Sequence, residues 1–163
     1  MSDSPTLAEF LRGARESVIE RFTDDLAKRD PQAAELSPSL LLDHLPQFFD
    51  EMLFELEARS SGSLPDHSLP AARSHAAERW RSGFDLRQVV REYGVLRHAI
   101  FQELAARDVQ LSPAELEPLL NCLNAGIAEA VEAFTEESAA VRTTLDEREL
   151  DLALKQQIGR AHV

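Results

Sequence analysis

The last third of the chain places the strongest constraint on its fold. No proline follows Pro118, and apolar residues continue at helical spacing from there to Gly159. A single helix from Pro113 to about Ile158 would be roughly 70 Å long at ~1.5 Å per residue, about twice the width of a domain of this size. Such a helix must protrude from the body to which it belongs.

The apolar pattern of this helix changes along its length. It is dense up to Phe134 and then thins to a spacing close to a heptad seam, with charged residues in between. A thin seam is typical of a two-stranded coiled coil. We therefore predict an exit helix over residues 136–163 that dimerises through Phe134, Val141, Leu145 and Leu152. The alternative is a break near residues 136–138, after which the helix folds back on its own domain.

The residues before Pro113 show the same periodicity in shorter segments. The spacing predicts helices over residues 7–29, 69–81 and 85–107, and another that starts after Ser37-Pro38. Pro46 predicts either a kink in that helix or a short helix followed by a longer one. Residues 60–66 are predicted to form a loop, and Gly126 to allow close packing. We therefore predict an all-α fold, a five- to six-helix bundle over residues 1–135 with a long protruding C-terminal helix.

Composition excludes several classes of protein. The chain is 44% hydrophobic and 28% charged, as expected of a folded domain. No apolar run is long enough for a membrane span and the start does not resemble a signal peptide, so we expect a cytoplasmic protein without membrane insertion. Cys122 is the only cysteine, which excludes an intramolecular disulfide. No phosphate-binding loop, nucleophile elbow or metal motif occurs, so we expect no catalysis, no metal and no cofactor.

The distribution of charge is uneven. A formal net charge of −12 argues against binding to nucleic acid. Residues 73–107 nevertheless contain seven arginines and four acidic residues, whereas residues 35–57 and 108–137 contain acidic residues and no lysine or arginine. We expect these oppositely charged segments to be neighbours in the fold.

Candidate site residues lie near the apolar faces of the third and fourth predicted long helices. Arg97 falls within a stripe of apolar residues, so its guanidinium must either pair with an acid or reach solvent. Glu92 is close to it along the same helix, and His75 and Arg79 lie one turn apart on the preceding helix. We predict one polar network, with a tyrosine beside it, from His75, Arg79, Glu92, Tyr93 and Arg97. It is either a structural contact between the helices or a partly buried site for an anion or small molecule.

The same segment resembles a known family. Its His75-x-x-x-Arg79 helix, its turn at Gly83 and its Glu92-Tyr93-x-x-Leu96-Arg97 helix resemble the signature of RsbRD-type N-terminal input domains. The runs at residues 43–46 and 128–135 are similar to further features of that family, so the resemblance extends over about residues 7–145. It implies a globin-like all-α fold without haem, a homodimer, and a downstream effector that is either a histidine kinase core or the partner-binding domain of a stressosome co-antagonist.

The residues and the resemblance together predict a non-catalytic sensory input domain. We expect it to dimerise and to relay a signal through its exit helix. Because no kinase core or partner-binding module is present, we expect an excised domain. Two alternatives are a haem-binding globin-type gas sensor, with an axial histidine such as His75 or His98, and a passive dimerisation scaffold.

Overall fold

A computed structural model describes residues 5–42, 44–60, 62 and 69–161. These residues form five long helices and two short ones: α1 (Leu7–Arg29), α2 (Pro31–Ala34), α3 (Pro38–Leu42), α4 (Leu45–Ser60), α5 (Pro70–Arg81), α6 (Leu86–Ala106) and α7 (Pro113–Ala161). No strand occurs within the described ranges, and the predicted all-α class is confirmed. Most of the predicted loop over residues 60–66 lies outside the described residues, as does Asp43.

Hydrogen bonds from capping residues fix where two of the long helices begin. Thr6 and Glu9 form the capping box of α1, and Asp85 forms that of α6 with Gln88. Pro46 stands at the second position of α4, where its missing N–H costs no helical hydrogen bond. The prediction of a short helix followed by a longer one is therefore confirmed, and a kinked single helix is wrong.

The body of the protein packs around the first half of α7. α5 lies along α7, α1 lies along α6, and α4 contacts α1, α5 and α7. Small side chains let α5 approach α7 closely, since Ala72 and Ala76 on α5 and Ala130 on α7 are fully buried. A Cβ placed on Gly126 would lie only 2.6 Å from Cε2 of Phe48. The predicted close packing at Gly126 is therefore confirmed.

α7 is one continuous helix of 49 residues, about 74 Å long at ~1.5 Å per residue. The predicted long helix is confirmed, and the fold-back alternative is wrong. Its buried residues end at Ala133, and residues 139–158 are all exposed. We refer to residues 139–161 as the stalk. Within the described ranges, no helix has both the length and the apolar character needed to cross a membrane.

The oppositely charged segments meet as predicted. Arg73 on α5 contacts three glutamates on α7, with nitrogen–oxygen distances of 3.1 Å to Glu129, 3.3 Å to Glu132 and 2.5 Å to Glu136. Arg81 lies 3.2 Å from Glu137. These pairs are solvent-exposed, and each therefore contributes about 1 kcal/mol or less to stability. Their main effect is to align α5 with the part of α7 that leads into the stalk.

Candidate functional site

A buried polar network joins α5 to α6. The turn between these helices passes through Gly83, whose φ of +81° lies in the left-handed region that glycine adopts without strain. The turn is closed by the Phe84 N–H, which donates to the Arg79 carbonyl at 3.0 Å. This reversal places the second turn of α6 beside α5.

Three residues make up the network, and we refer to them as the clasp: His75, Arg79 and Glu92. His75 Nε2 lies 2.6 Å from Glu92 Oε2, and Arg79 Nε donates to Glu92 Oε1 at 2.8 Å. Burial alone would raise the pKa of Glu92, but the hydrogen bond from His75 and the charges of His75 and Arg79 hold that pKa below its usual range. Glu92 is therefore ionised, neutralises Arg79 and accepts a hydrogen bond from His75.

Arg79 extends the clasp to a third helix. Its Nη1 donates to the Leu40 carbonyl at 3.0 Å and its Nη2 to the Leu41 carbonyl at 3.1 Å, near the end of α3. Its guanidinium also lies 5.2 Å from the centre of the Phe84 ring. Sequence reasoning missed these partners, because backbone carbonyls carry no residue-specific signal. The side chain is only 1% exposed and ties α3, α5 and α6 together.

Arg97 is not part of the clasp. Its side chain is exposed and forms no hydrogen bond or ion pair with the described residues, so of the two predicted outcomes it reaches solvent and does not join the network. The buried side of α6 was predicted from its apolar residues alone. Two acidic residues, Glu92 and Glu103, are also buried there, and that pattern does not include them. The buried residues of α6 are Val89, Glu92, Tyr93, Val95, Leu96, Ala99, Ile100, Glu103 and Leu104. His98 is exposed, as its position in the predicted helix indicates.

Tyr93 connects the clasp to α7. Its ring stands nearly perpendicular to the rings of His75 and Phe48, with centroids 6.3 Å and 5.4 Å away. Its Cε1 would lie 3.0 Å from a Cβ placed on Gly126. Because Gly126 has no side chain, both the tyrosine and the phenylalanine rings pack directly on the backbone of α7. The clasp and the long helix are thus separated by one layer of aromatic rings.

A small cavity of about 20 Å³ adjoins the clasp between α1, α4, α5 and α6. It is lined by Phe22, His44, Leu45, Phe48, His75, Glu92, Tyr93 and Leu96. This volume holds about one water molecule. The site does not fit haem, because His75 Nε2 is bound to Glu92 and His98 is exposed. Within the described part of the chain, no group of three or more potential ligands could hold a metal ion.

Glu103 is the second buried acidic residue of α6. Unlike Glu92, it was not predicted from the sequence. It accepts from Arg21 Nε at 2.7 Å and from Arg107 Nε at 2.9 Å, and it is 4% exposed. Burial would raise the pKa of Glu103, but the hydrogen bonds from the two arginines lower it. The spacing of Glu103 and Arg107, one helical turn apart, is the signal that could have found this pair. The contact fixes the end of α6 to α1.

The lowered pKa of Glu92 predicts a specific response to acid. A carboxyl whose pKa is lower in the folded state stabilises the fold above its unfolded pKa, near 4.5, and this contribution is lost as the pH falls through the folded pKa. We expect the free energy of unfolding to fall between about pH 6 and pH 3 in the wild-type chain and to fall less in Glu92→Gln. Urea unfolding at a series of pH values measures this slope. Glu147→Gln, on the exposed stalk, should follow the wild type, and equal slopes in Glu92→Gln and wild type would contradict the assignment.

Comparisons with known proteins give one match. Residues 15–149 match the family described as RsbT co-antagonist protein rsbRD N-terminal domain. A search of curated proteins and a search of solved structures each gave no match to the chain. The matched residues include the whole clasp, Tyr93, Gly126 and the first part of the stalk, and they confirm the resemblance seen in the sequence. The chain therefore belongs to the RsbT co-antagonist protein rsbRD N-terminal domain family, a family of regulatory input domains.

Proposed function

We propose that the chain is a non-catalytic sensory input domain of a bacterial signal-transduction protein, which dimerises and relays a signal through α7. In this proposal the sensor body lies within residues 1–135, and the exit helix begins at residue 136. One observation carries the proposal. The first half of α7 is part of the core, while its second half stands clear of the body as the stalk. A change in how the body packs on α7 therefore moves the stalk as well.

The stalk supplies the dimer contact. Val141, Leu145 and Leu152 are 42%, 52% and 59% exposed, and they repeat at heptad spacing along one side of the helix. Phe134 is half-buried and continues the same row into the body. A single helix gains stability by burying such a row against a second helix, and a symmetric pair of stalks buries both rows at once. The row thus supports a homodimer.

The clasp is the proposed point at which a signal enters. His75, Arg79 and Glu92 join three helices, and Tyr93 links them to the backbone of α7 at Gly126. A buried ionic network has few alternative arrangements in which all its groups are paired, so it favours discrete states. A switch between such states would shift α5 and α6 relative to α7.

The proposed output is an effector module in the parent protein. The family supports the partner-binding domain of a stressosome co-antagonist, and a histidine kinase core is the second candidate. The paired stalks would act on either module in the same way, because a coiled coil can change its register or its rotation in discrete steps.

The dimer is tested by placing charges in the heptad row. We expect Leu145→Glu/Leu152→Glu to convert the dimer into a monomer, because paired stalks would bring four carboxylates together at the seam. Size-exclusion chromatography with light scattering measures the mass. The matched control is Leu150→Glu/Leu154→Glu, at equally exposed positions that lie on the other side of the helix. The control should stay dimeric, and a monomeric wild-type chain at high concentration would contradict the proposal.

The relay from the clasp is tested by cross-linking the stalks. Burial raises the pKa of Cys122 to about 11, so a thiol introduced by Leu145→Cys is the reactive one. We expect His75→Gln to change the rate of disulfide formation at residue 145 several-fold while the dimer persists. Ser74→Ala, on the exposed side of α5, serves as the control and should leave the rate unchanged. Equal rates in all three proteins would favour a passive dimerisation scaffold.

A further inference from the structure

The outer face of α6 has an unusual distribution of charge. Its two acidic residues, Glu92 and Glu103, are 2% and 4% exposed and point into the body. Its three arginines, Arg87, Arg91 and Arg97, are all exposed. The side of α6 that faces solvent therefore carries positive charge and no negative charge of its own.

Most of the other arginines in the body are paired with acidic residues. Seven arginines there form ion pairs with carboxylates: Arg12, Arg15, Arg21, Arg73, Arg79, Arg81 and Arg107. By contrast, Arg87, Arg91 and Arg97 form no ion pair with any described residue. The chain has 29 acidic residues and 17 basic ones, so a shortage of carboxylates does not explain this. Arg29 on α1 is also exposed and without an ion pair, but it stands alone on its helix. The outer face of α6 therefore brings three unpaired arginines together in a strongly acidic protein.

The arginines are arranged to receive an extended partner. Arg87, Arg91 and His98 follow one line along the helix, over about 16 Å at ~1.5 Å per residue, and Arg97 flanks it. Phe101 continues this face by one turn and is 38% exposed. Between these side chains, a Cβ placed on Gly94 would meet nothing within 4 Å, so the middle of the face is open.

We propose that this outer face of α6 is a docking surface for an acidic amphipathic helix of another protein. Carboxylates one turn apart on that helix would pair with Arg87, Arg91 and Arg97, and an apolar side chain would cover Phe101. This surface is separate from the stalk, and the proposal does not depend on the relay.

Two other occupants are disfavoured by charge. A second copy related by a two-fold axis would bring arginines against arginines. Nucleic acid and anionic membranes are polyanions, and the net charge of −12 repels them, whereas three arginines neutralise only a few phosphates. A short protein segment with a few carboxylates meets the local positive charge with the least repulsion, since charges are screened beyond about 8 Å at physiological salt.

The test uses a labelled synthetic helical peptide with glutamates one turn apart and a row of leucines, and fluorescence anisotropy at physiological salt. We expect Arg87→Glu/Arg91→Glu/Arg97→Glu to weaken binding by about tenfold or more, the loss of at least one charge-assisted contact. Lys28→Glu/Arg142→Glu/Arg160→Glu changes the net charge equally at exposed positions outside α6 and outside the heptad row, and it should leave binding nearly unchanged.

Several outcomes would overturn the proposal. Equal weakening in both triple variants would show unspecific attraction to the peptide. No binding by the wild-type chain, or binding that persists when the glutamates of the peptide are replaced by glutamines, would also contradict it. Arg91→Ala alone, which removes one exposed side chain without reversing a charge, should still weaken binding and guards against misfolding of the triple variant. Binding of single-stranded DNA or phosphatidylserine vesicles through the same arginines would assign the surface to a different partner.

Discussion

Glu92→Leu is expected to lower the free energy of unfolding by about 3–5 kcal/mol, because it leaves a guanidinium buried without its counter-charge. Arg79 is 1% exposed, and Glu92 is the carboxylate that it contacts among the described residues. His75 loses its partner in the same variant. Urea or guanidinium unfolding monitored by circular dichroism measures the loss.

A second variant separates the cost of an unpaired charge from the value of the pair itself. In Arg79→Leu/Glu92→Leu no charge of that pair remains buried alone, so we expect the double variant to cost less than the two single variants added together. Glu129→Leu is the matched control, since it breaks a partly exposed pair while Arg73 keeps Glu132 and Glu136, and it should cost about 1 kcal/mol or less. A loss below about 1 kcal/mol for Glu92→Leu would show that the clasp tolerates a lone arginine.

Gly126→Ala is expected to destabilise the fold by about 1–2 kcal/mol. The added Cβ would lie 2.6 Å from the Phe48 ring, which is 3% exposed, and the adjoining cavity of about 20 Å³ is too small to accept a displaced ring. Overpacking of this kind costs about 1–3 kcal/mol, and it outweighs the gain of up to ~1 kcal/mol that alanine brings to a helix.

The same substitution elsewhere provides the control. A Cβ on Gly13 in α1 would meet nothing within 4 Å, so Gly13→Ala should stabilise the chain by up to about 1 kcal/mol. Phe48→Leu combined with Gly126→Ala should recover part of the lost stability if the ring is the obstacle. A stabilising effect of Gly126→Ala alone would show that the aromatic layer yields easily and could not carry motion to α7.

Much of the fold could be predicted from the sequence because its signals are local. Caps at Thr6, Asp85 and Ser112, together with the proline at residue 46, mark helix ends through hydrogen bonds within one turn. The continuity of α7 beyond Pro118 follows from an unbroken helical pattern without a further proline. These features depend on neighbours along the chain and not on the rest of the structure.

The candidate site was harder to predict because it depends on which side of each helix is buried. His75, Arg79, Glu92 and Tyr93 do come together, and their helical spacing was enough to indicate it. Arg97 was misplaced, since apolar residues alone put the buried side of α6 one position away from its true place. The sequence does not show whether an acidic residue is buried and paired or exposed to solvent; only the tertiary structure distinguishes the two cases.

Because the stalk is long, a small rotation at its base produces a much larger displacement at its far end. The stalk extends about 34 Å from its base, at ~1.5 Å per residue over residues 139–161. A tilt of about 5° at the base would move the far end by roughly 3 Å, or about half the pitch of an α-helix. Displacements at the aromatic layer that are too small to disturb the hydrophobic core would therefore be several times larger at the far end of the stalk.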